Sequence, residues 1–437
     1  MNLITLKTNQ LENYFSILLA FIPFSFIAGN LIINLNIILL ILSALFFFGK
    51  DLFKIKYYNL DKLIFILFLF ILIPAFLNDY FFYTIKSWKG YSATIIKTLF
   101  FFKYYFLYLS LRFLIEKNFI NLKFFFLSCT LASLFVCFDI FYQFVNGQDI
   151  FGFKPLANKM AGPFGDELIA GGFIQRFSIF SFFVIPLFYS QKNLKKNLKL
   201  ITPILFIIFL IGIILSGNRM PFILFIFTMI LIVIFQKQTR KYFLSFMFIS
   251  LTVFFLIFKA VPQVNANSMR FYNQISIMTK IVLKKDFYNE PPFHLKEFVT
   301  FYDTWLMHKY LGGGIKNFRY YCHHRDNIGK NPHFICNMHP HNYYLEILTE
   351  LGIVGFLIIC SIFLTVLFIS FCKKYSSKSQ QPINNLLIPF IFLFIAEIFP
   401  IKSTGSFFTT GNTTYLFLIM SILVALVRKY NFIENKS

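Results

Sequence analysis

Long apolar runs recur along almost the whole chain and constrain its fold more than any other feature of the sequence. An α-helix needs about 20 apolar residues to cross about 30 Å of hydrocarbon. Hydrophobic residues make up 58% of the 437 positions, and twelve runs approach the required length. They cover residues 13–28, 31–49, 63–77, 93–114, 122–145, 172–190, 200–216, 220–236, 243–261, 351–371, 386–401 and 412–427. The sequence therefore predicts an all-α polytopic membrane protein, a single membrane domain over residues 1–437 with about twelve transmembrane helices.

The net charge of +23 lies mainly in short connections between these runs. Basic clusters occur at residues 50–56, 192–199, 237–241, 373–378 and 428–429, which fall on one side of the membrane if there are twelve crossings. Connections rich in Lys and Arg mark the cytoplasmic side. We therefore expect both termini in the cytoplasm and a large loop at residues 262–343 outside, with the shorter segments 146–171 and 402–411. Because no folded face gathers the positive charge, we expect no nucleic acid as a partner.

All seven histidines lie between His294 and His341, on the predicted outer side. His339 and His341-Asn342 precede the apolar run 351–371, which is long enough to span the membrane by itself. The ten residues before this run should extend the helix outward, with His341 at its N-terminus roughly 15 Å above Leu351. Free backbone N–H groups and the helix dipole make such a terminus favourable for phosphate. The alternative is an ordinary interfacial histidine beside a cap formed by Asn342.

Two arginines outside the apolar runs are candidates for binding an anionic ligand. Arg219 stands in a tight turn between the runs 200–216 and 220–236, and its planar fork of donors suits a phosphate. Alternatively, its side chain snorkels to the membrane surface. Arg319 follows three glycines at 312–314 and Lys316, and glycines let the backbone approach a ligand closely. An ordinary loop arginine is the alternative for Arg319.

Cys322 and Cys336 share the predicted outer loop, 14 positions apart. In an oxidising compartment outside the cytoplasm, such a pair favours a disulfide. The alternative is a metal site that combines the two thiols with histidines 323, 324 or 333. The spacing lacks the usual paired ligands of a zinc site, so we expect no metal.

Two further segments on the outer side have a predicted structure. Apolar residues recur at helical spacing over residues 293–311, which predicts a short helix that packs on the bundle or lies at the membrane surface. Asp166 and Glu167 follow a segment rich in Gly and Pro, which is typical of an ordered loop. A solvated acidic turn is the alternative to a ligand-binding role for Asp166.

Several of these segments resemble, in the same order, the bacterial O-antigen ligase family and its O-antigen polymerase relatives. The main motif is His341-Asn342, then nine residues, then Gly352 and Gly355, after a long outer loop. Residues 161–166, 216–219 and 311–318 are similar to three further segments of the family, and Cys322 with Cys336 is similar to a pair found in some members. The resemblance centres on residues 160–370. The chain departs from the family pattern around Arg219 and in the loop helix, where residues 294, 296 and 297 include no arginine.

The resemblance implies a transfer reaction at the periplasmic face of the bacterial inner membrane. A saccharide carried on undecaprenyl diphosphate would be attacked at its anomeric carbon by a hydroxyl of the acceptor, foremost lipid A core. This chemistry needs a base and cations but no cofactor. The implied catalytic residues are His341 as base and Arg219 as diphosphate clamp. The implied substrate-binding residues are Arg319, Asn342, Arg176, Lys316, His339 and Asp166, and Gly352, Gly355, Cys322 and Cys336 are structural.

Other acceptors and one other class of protein stay open from the sequence. A growing glycan as acceptor would make the protein a polymerase, and a protein hydroxyl would make it an O-oligosaccharyltransferase. A polysaccharide or lipid transporter is the different class, for which polar residues are expected at mid-membrane in broken helices. Here the polar residues gather at the outer end of the helices instead. Besides donor and acceptor, we expect only membrane lipids as partners.

Overall fold

The computed structural model describes residues 3–81, 93–156, 159–188, 191–236, 243–284, 293–324, 335–336, 339–372, 375, 386–402 and 405–430. Within these ranges the protein is helical and contains no β-strand. The helices are α1 (Leu3–Ala20), α2 (Ile22–Ala28), α3 (Asn30–Phe48), α4 (Asn59–Phe70), α5 (Leu72–Tyr80), α6 (Thr94–Phe101), α7 (Lys103–Glu116), α8 (Leu122–Asn146), α9 (Ala170–Phe177), α10 (Ser181–Phe188), α11 (Gln191–Leu215), α12 (Arg219–Phe235), α13 (Phe243–Ala260), α14 (Pro262–Lys284), α15 (Phe293–Trp305), α16 (Phe318–Tyr321), α17 (Tyr343–Leu367), α18 (Leu387–Glu397) and α19 (Thr410–Lys429).

Seven helical stretches of the described chain are long and apolar enough to cross a membrane. They are Asn9–Ala28, Asn30–Phe53, Asn59–Tyr80, Thr94–Glu116, Leu122–Asn146, Tyr343–Cys372 and Thr410–Lys429. An eighth is Leu244–Ala260 if it is joined with the bent continuation Pro262–Ile281. Four shorter apolar helices, Ala170–Val184, Ile201–Leu215, Arg219–Phe235 and Leu387–Glu397, coincide with the other predicted runs. The all-α membrane class is therefore confirmed, and the figure of twelve crossings stays a prediction.

The predicted outer loop at residues 262–343 is more helical than the sequence indicates. Helix α14 follows α13 after a bend of 109°, and it was not predicted because its mixed polar and apolar residues give no strong hydropathy signal. The predicted helix at 293–311 is observed as α15, which ends at Trp305 and is followed by a 3-10 turn over Leu306–His308. Three glycines at 312–314 then end the helical segment.

Helix α19 is the centre of the bundle. Every residue from Thr413 to Arg428 is buried, as expected for a helix that is apolar on all sides. Near its C-terminus Arg428 donates to Asp61 of α4, which also pairs with Arg112 of α7. Near its N-terminus Asn412 accepts from Arg176 of α9. Two polar networks therefore lie at opposite ends of a helix about 30 Å long.

Large apolar side chains also cover the outside of the bundle. On α3, Leu31, Leu35, Leu42 and Phe46 are all more than half exposed, and their spacing of four or seven residues puts them on one helix face. Contiguous apolar surface of this kind is not stable in water. We therefore assign this face of α3 to the lipid.

The membrane topology can be tested by cysteine labelling. Single cysteines placed in a functional variant should react with a membrane-impermeant maleimide from outside the cell at residues 262–343. Cysteines at residues 191–199 and 237–242 should react only after the inner face is opened, because Lys and Arg are retained on the cytoplasmic side. Labelling of residues 191–199 from outside would contradict the orientation.

Candidate active site at an interrupted helix

Helix α17 contains a break at Gly352, whose φ of 64° and ψ of −172° are not helical. The amides after the break lack their usual partners one turn earlier. The structure supplies other partners, because the amide of Ile353 donates to the carbonyl of Lys309 at 2.9 Å and that of Val354 donates to the carbonyl of Tyr310 at 3.2 Å. The chain after α15 therefore completes the hydrogen bonding of α17.

The glycines at 312–314 supply hydrogen-bond donors to the carbonyls of α17 just before the break. The amides of Gly313 and Gly314 donate to the carbonyls of Thr349 and Glu350, at 3.0 and 2.8 Å. A Cβ on Gly312 would overlap the backbone of Glu350, just as a Cβ on Gly352 would overlap the backbone of residue 310. Only glycine permits two backbones to approach so closely. The glycine segment and the interrupted helix are thus one structural unit, whose parts are more than 30 residues apart in sequence.

Gly355, the other predicted structural glycine, lies in the second half of α17. A Cβ there would contact the side chain of Leu351 and the ring of Phe70. The small residue therefore lets α17 pack closely against α4.

Asn342 is the N-cap of α17, and this corrects the predicted start of the helix. Its side chain accepts from the amides of Tyr344 and Leu345, at 3.0 and 3.1 Å, as an N-cap does. Its amide nitrogen donates to the carbonyls of Pro400 and Lys402. The predicted outward extension of the helix before residue 351 is confirmed, since the helix begins at Tyr343, but its predicted continuity is wrong because it is broken at Gly352. Substrate binding by Asn342 stays a prediction.

His341 precedes the cap in a left-handed backbone conformation, with φ of 54°. Its side chain is 36% exposed, and its Nε2 atom lies 3.9 Å from Oε1 of Glu297 on α15, whose side chain is fully buried. Lys316 also has a positive φ, 59°, and its amide donates to Glu350 Oε2 at 2.7 Å. The left-handed conformation costs about 1–2 kcal/mol for a residue with a Cβ, and such strain clusters at functional sites. Of the described non-glycine residues, only Asn118 shares this conformation.

His339 and Arg319 lie beside His341. The rings of His339 and His341 are 4.5 Å apart. Burial, and then the neighbouring His341, lower the pKa of His339 to about 4, with a smaller effect of Arg319 in the same direction. His339 is therefore neutral near pH 7. The Nε atom of Arg319 is buried and has no hydrogen-bond partner in the described part of the chain.

Cys322 and Cys336 form a disulfide. Cys322 is buried in a small core with Phe301 and Phe318, whose rings stack at 3.5 Å. This core joins α15 to α16, the helix that carries Arg319. Both sulfur atoms are used in the disulfide, so they do not form the alternative metal site. No cluster of three metal-binding side chains occurs among the residues described here.

We expect Cys322→Ser to loosen this loop without preventing insertion. A disulfide that closes about 15 residues contributes about 3 kcal/mol in the chain-entropy model, so α15 and α16 should become more sensitive to protease. Alkylation and mass spectrometry should detect no free thiol at either position in the unreduced wild-type protein. Cys360→Ser, at a free cysteine in α17, is the control. Full alkylation of Cys322 and Cys336 before reduction would contradict the pairing.

Arg219 is the first residue of α12 and lies against α14. Its Nη1 donates to Oε1 of Gln274 at 2.8 Å, and its guanidinium lies 5.3 Å from the ring of Phe271. Arg270 and Lys159 are close enough for their charges to act on the same group. Burial, and then Arg219, lower the pKa of Lys159. None of the three cations has an acidic partner in the part of the chain that the structure describes.

Arg176 lies in a buried ionic network near the start of α17. It binds Glu397 with both Nε and Nη2, at 3.2 and 2.8 Å. Lys402 donates to the same carboxylate at 2.6 Å, and Tyr343 donates to it at 2.5 Å. Burial lowers the pKa of Lys402 to about 8. Arg176 is thus already paired, and its predicted contact with substrate stays a prediction.

The structure brings some of the predicted site residues together. His339 lies beside His341, and the charge of Arg319 acts on His339. Lys316 and Arg319 both act on the charge of Lys97. Arg219 has its contacts on α14, and Asp166 is exposed on a turn. The sequence reasoning missed Glu297, Lys159 and Arg270, for which the only available signal was their place in the predicted outer segments.

Residues 204–360 match the family model described as O-antigen ligase. The matched segment contains Arg219, Arg319, His341, Gly352 and Gly355. It also contains the disulfide and helices α14 to α16, which precede the interrupted helix. No curated protein matches the chain.

Proposed function

We infer, from the match of residues 204–360 to the O-antigen ligase family model, that this protein transfers a saccharide from undecaprenyl diphosphate to an acceptor hydroxyl. The proposed reaction is ligation of O-antigen to lipid A core at the periplasmic face of the bacterial inner membrane. The observation that carries this proposal is His341, a partly exposed histidine held in a strained backbone conformation beside a buried carboxylate. A partly exposed histidine without a function would not need to be held in a strained backbone conformation.

The proposed transfer is a single displacement. A ring nitrogen of His341 takes the proton of the acceptor hydroxyl as its oxygen forms a bond to the anomeric carbon. The bond between that carbon and the diphosphate oxygen breaks, and the electron pair leaves with undecaprenyl diphosphate. The base removes positive charge from the attacking oxygen, and cations stabilise the negative charge that develops on the diphosphate.

The Arg219 cluster, defined as Arg219, Lys159 and Arg270, is the proposed diphosphate site. Three cations without an acidic partner in the described chain repel one another, and an anion between them relieves that repulsion. Arg319 and Lys316 are proposed to bind the saccharide or its phosphate next to His341. Arg176 is proposed to act through Glu397, because this pair fixes Tyr343 at the start of α17.

Arg219→Lys tests the diphosphate site. Lysine keeps the charge but loses the fork that can bind two phosphate oxygens, so we expect transfer to fall by about tenfold or more. A residue that only snorkels to the surface would tolerate lysine. Lys117→Arg, at an exposed position, is the control for a charge-conserving change. The assay should also tolerate a chelator, since the cationic role is assigned to side chains.

Gene deletion followed by electrophoresis of lipopolysaccharide tests the proposed acceptor. Loss of the O-antigen ladder with intact core, accumulation of carrier-linked polymer and rescue by the wild-type gene are expected for a ligase. A single added repeat would identify a polymerase instead. Unchanged lipopolysaccharide would contradict the proposal and direct attention to protein glycans as products.

A further inference from the structure

We propose that Glu297 is the positioning residue of His341 and that its carboxylate orients the imidazole ring and stabilises its positive form. This inference rests on the proposed function, because it assigns a partner to the proposed base. It goes beyond that function by naming the residue that orients the imidazole ring.

The geometry supports a carboxylate and imidazole pair. Oε1 of Glu297 lies 3.9 Å from Nε2 of His341, within ion-pair range and beyond a normal hydrogen bond. Catalytic hydrogen bonds are often long in the absence of substrate and shorten when it binds. A carboxylate beside Nε2 favours the tautomer that carries its hydrogen there.

Burial makes this carboxylate effective. The side chain of Glu297 is fully buried, whereas that of His341 is 36% exposed. A carboxylate removed from water acts on a neighbouring charge with less screening. When His341 takes a proton, the positive ring forms next to a negative group that is already in place. This arrangement costs little reorganisation during the reaction.

Two other titratable or charged groups lie near His341 in the described part of the chain, His339 and Arg319. His339, 4.5 Å away ring to ring, has a pKa lowered to about 4 and is neutral. Arg319 acts on His339 with a positive charge, so its effect on a neighbouring imidazolium is unfavourable. Of these three groups, the carboxylate on α15 is the one that favours a positive ring at His341.

Helix α15 holds Glu297 in a fixed position. Thr300 accepts from the amide of Ile335 at 3.3 Å, and Thr349 of α17 donates to the carbonyl of Phe301 at 3.5 Å. Phe301 belongs to the core that contains the disulfide. The helix that carries the carboxylate is thereby fixed to the helix that follows His341.

The test compares Glu297→Gln, Glu297→Asp and the control Thr304→Ala, a buried position on the same helix. The full-length protein is assayed in proteoliposomes with undecaprenyl diphosphate-linked O-antigen and lipid A core over a range of pH. Glu297→Gln keeps the size of the side chain and removes its charge. We expect its maximal rate to fall about 10–100-fold, as for other residues that orient a functional histidine. Glu297→Asp should recover part of the loss.

The pH profile separates positioning from stability. The rate should rise with pH as His341 loses its proton, and a neighbouring carboxylate keeps the proton bound to higher pH. In Glu297→Gln the acid limb should therefore move about 0.5–1 pH unit lower. The NMR titration of the His341 ring, assigned by its loss in His341→Ala, should move in the same direction. Thr304→Ala should leave both midpoints unchanged.

Each outcome is decisive for one of the two proposals. An unchanged rate and pH profile in Glu297→Gln, with His341→Ala inactive, would overturn the role of Glu297 and retain the proposed base. A lower rate with an unchanged profile and ring titration would show a structural role only and would also overturn it. If His341→Ala itself transfers normally, the proposed function fails.

Discussion

Replacement of His341 by alanine is expected to reduce saccharide transfer by roughly 10²–10⁴-fold, the usual loss when a general base is removed. The protein should still insert and accumulate, because the side chain is partly exposed and belongs to no apolar core. Transfer is measured with carrier-linked O-antigen at protein levels matched by immunoblot. A second variant, His341→Asn, separates chemistry from backbone strain. Asparagine tolerates the positive φ of this position better than most residues but cannot act as a base.

Two results would contradict the role of His341 as base. One is near-normal transfer by both variants at matched abundance. The other is recovery of activity in His341→Asn but not in His341→Ala, which would show that only the backbone conformation matters. His323→Ala is the matched control, since it removes an exposed histidine from the same outer segment. It should transfer at the wild-type rate.

Replacement of Gly352 by alanine is expected to have the largest effect on the folded state. A Cβ at this position would overlap the backbone of Tyr310, and its φ and ψ belong to a region that is essentially restricted to glycine. The backbone strain alone costs about 1–3 kcal/mol. If the glycine segment also detaches from α17, the four backbone hydrogen bonds between these two parts of the chain are lost, each contributing about 0.5–1.5 kcal/mol. We expect a strong fall in abundance and in thermal stability, with loss of transfer.

Gly172→Ala is the matched control for this substitution. The nearest atom to a Cβ there is on Pro221 at 4.0 Å, so alanine fits, and alanine is preferred to glycine inside a helix. The thermal stability of each variant is measured in detergent by size-exclusion chromatography of samples that have been heated. If Gly352→Ala had the same melting temperature as Gly172→Ala and a normal transfer rate, the close approach of the two backbones at residue 352 would not be needed.

The sequence by itself determined where the apolar helices lie. Hydropathy depends on residues that are neighbours along the chain, and each of the twelve predicted runs coincides with an observed apolar helix. The same local information identified the polar segment before α17, and a motif in fixed order resembles the family whose model matches residues 204–360. It did not indicate α14 or the break at Gly352. An amphipathic helix has low mean hydropathy, and the break depends on a partner segment elsewhere in the chain.

Only the tertiary structure decided which polar groups meet. The amide of Gly313 bonds to residue 349, Arg176 pairs with Glu397, and Glu297 lies beside His341. These partners are 36, 221 and 44 positions apart, and no periodic pattern in a single sequence connects such residues. In an apolar bundle, a buried charge or an unpaired amide is costly unless it finds a partner. That requirement selects the pairs that form, but the packing of the helices determines which partners lie within reach.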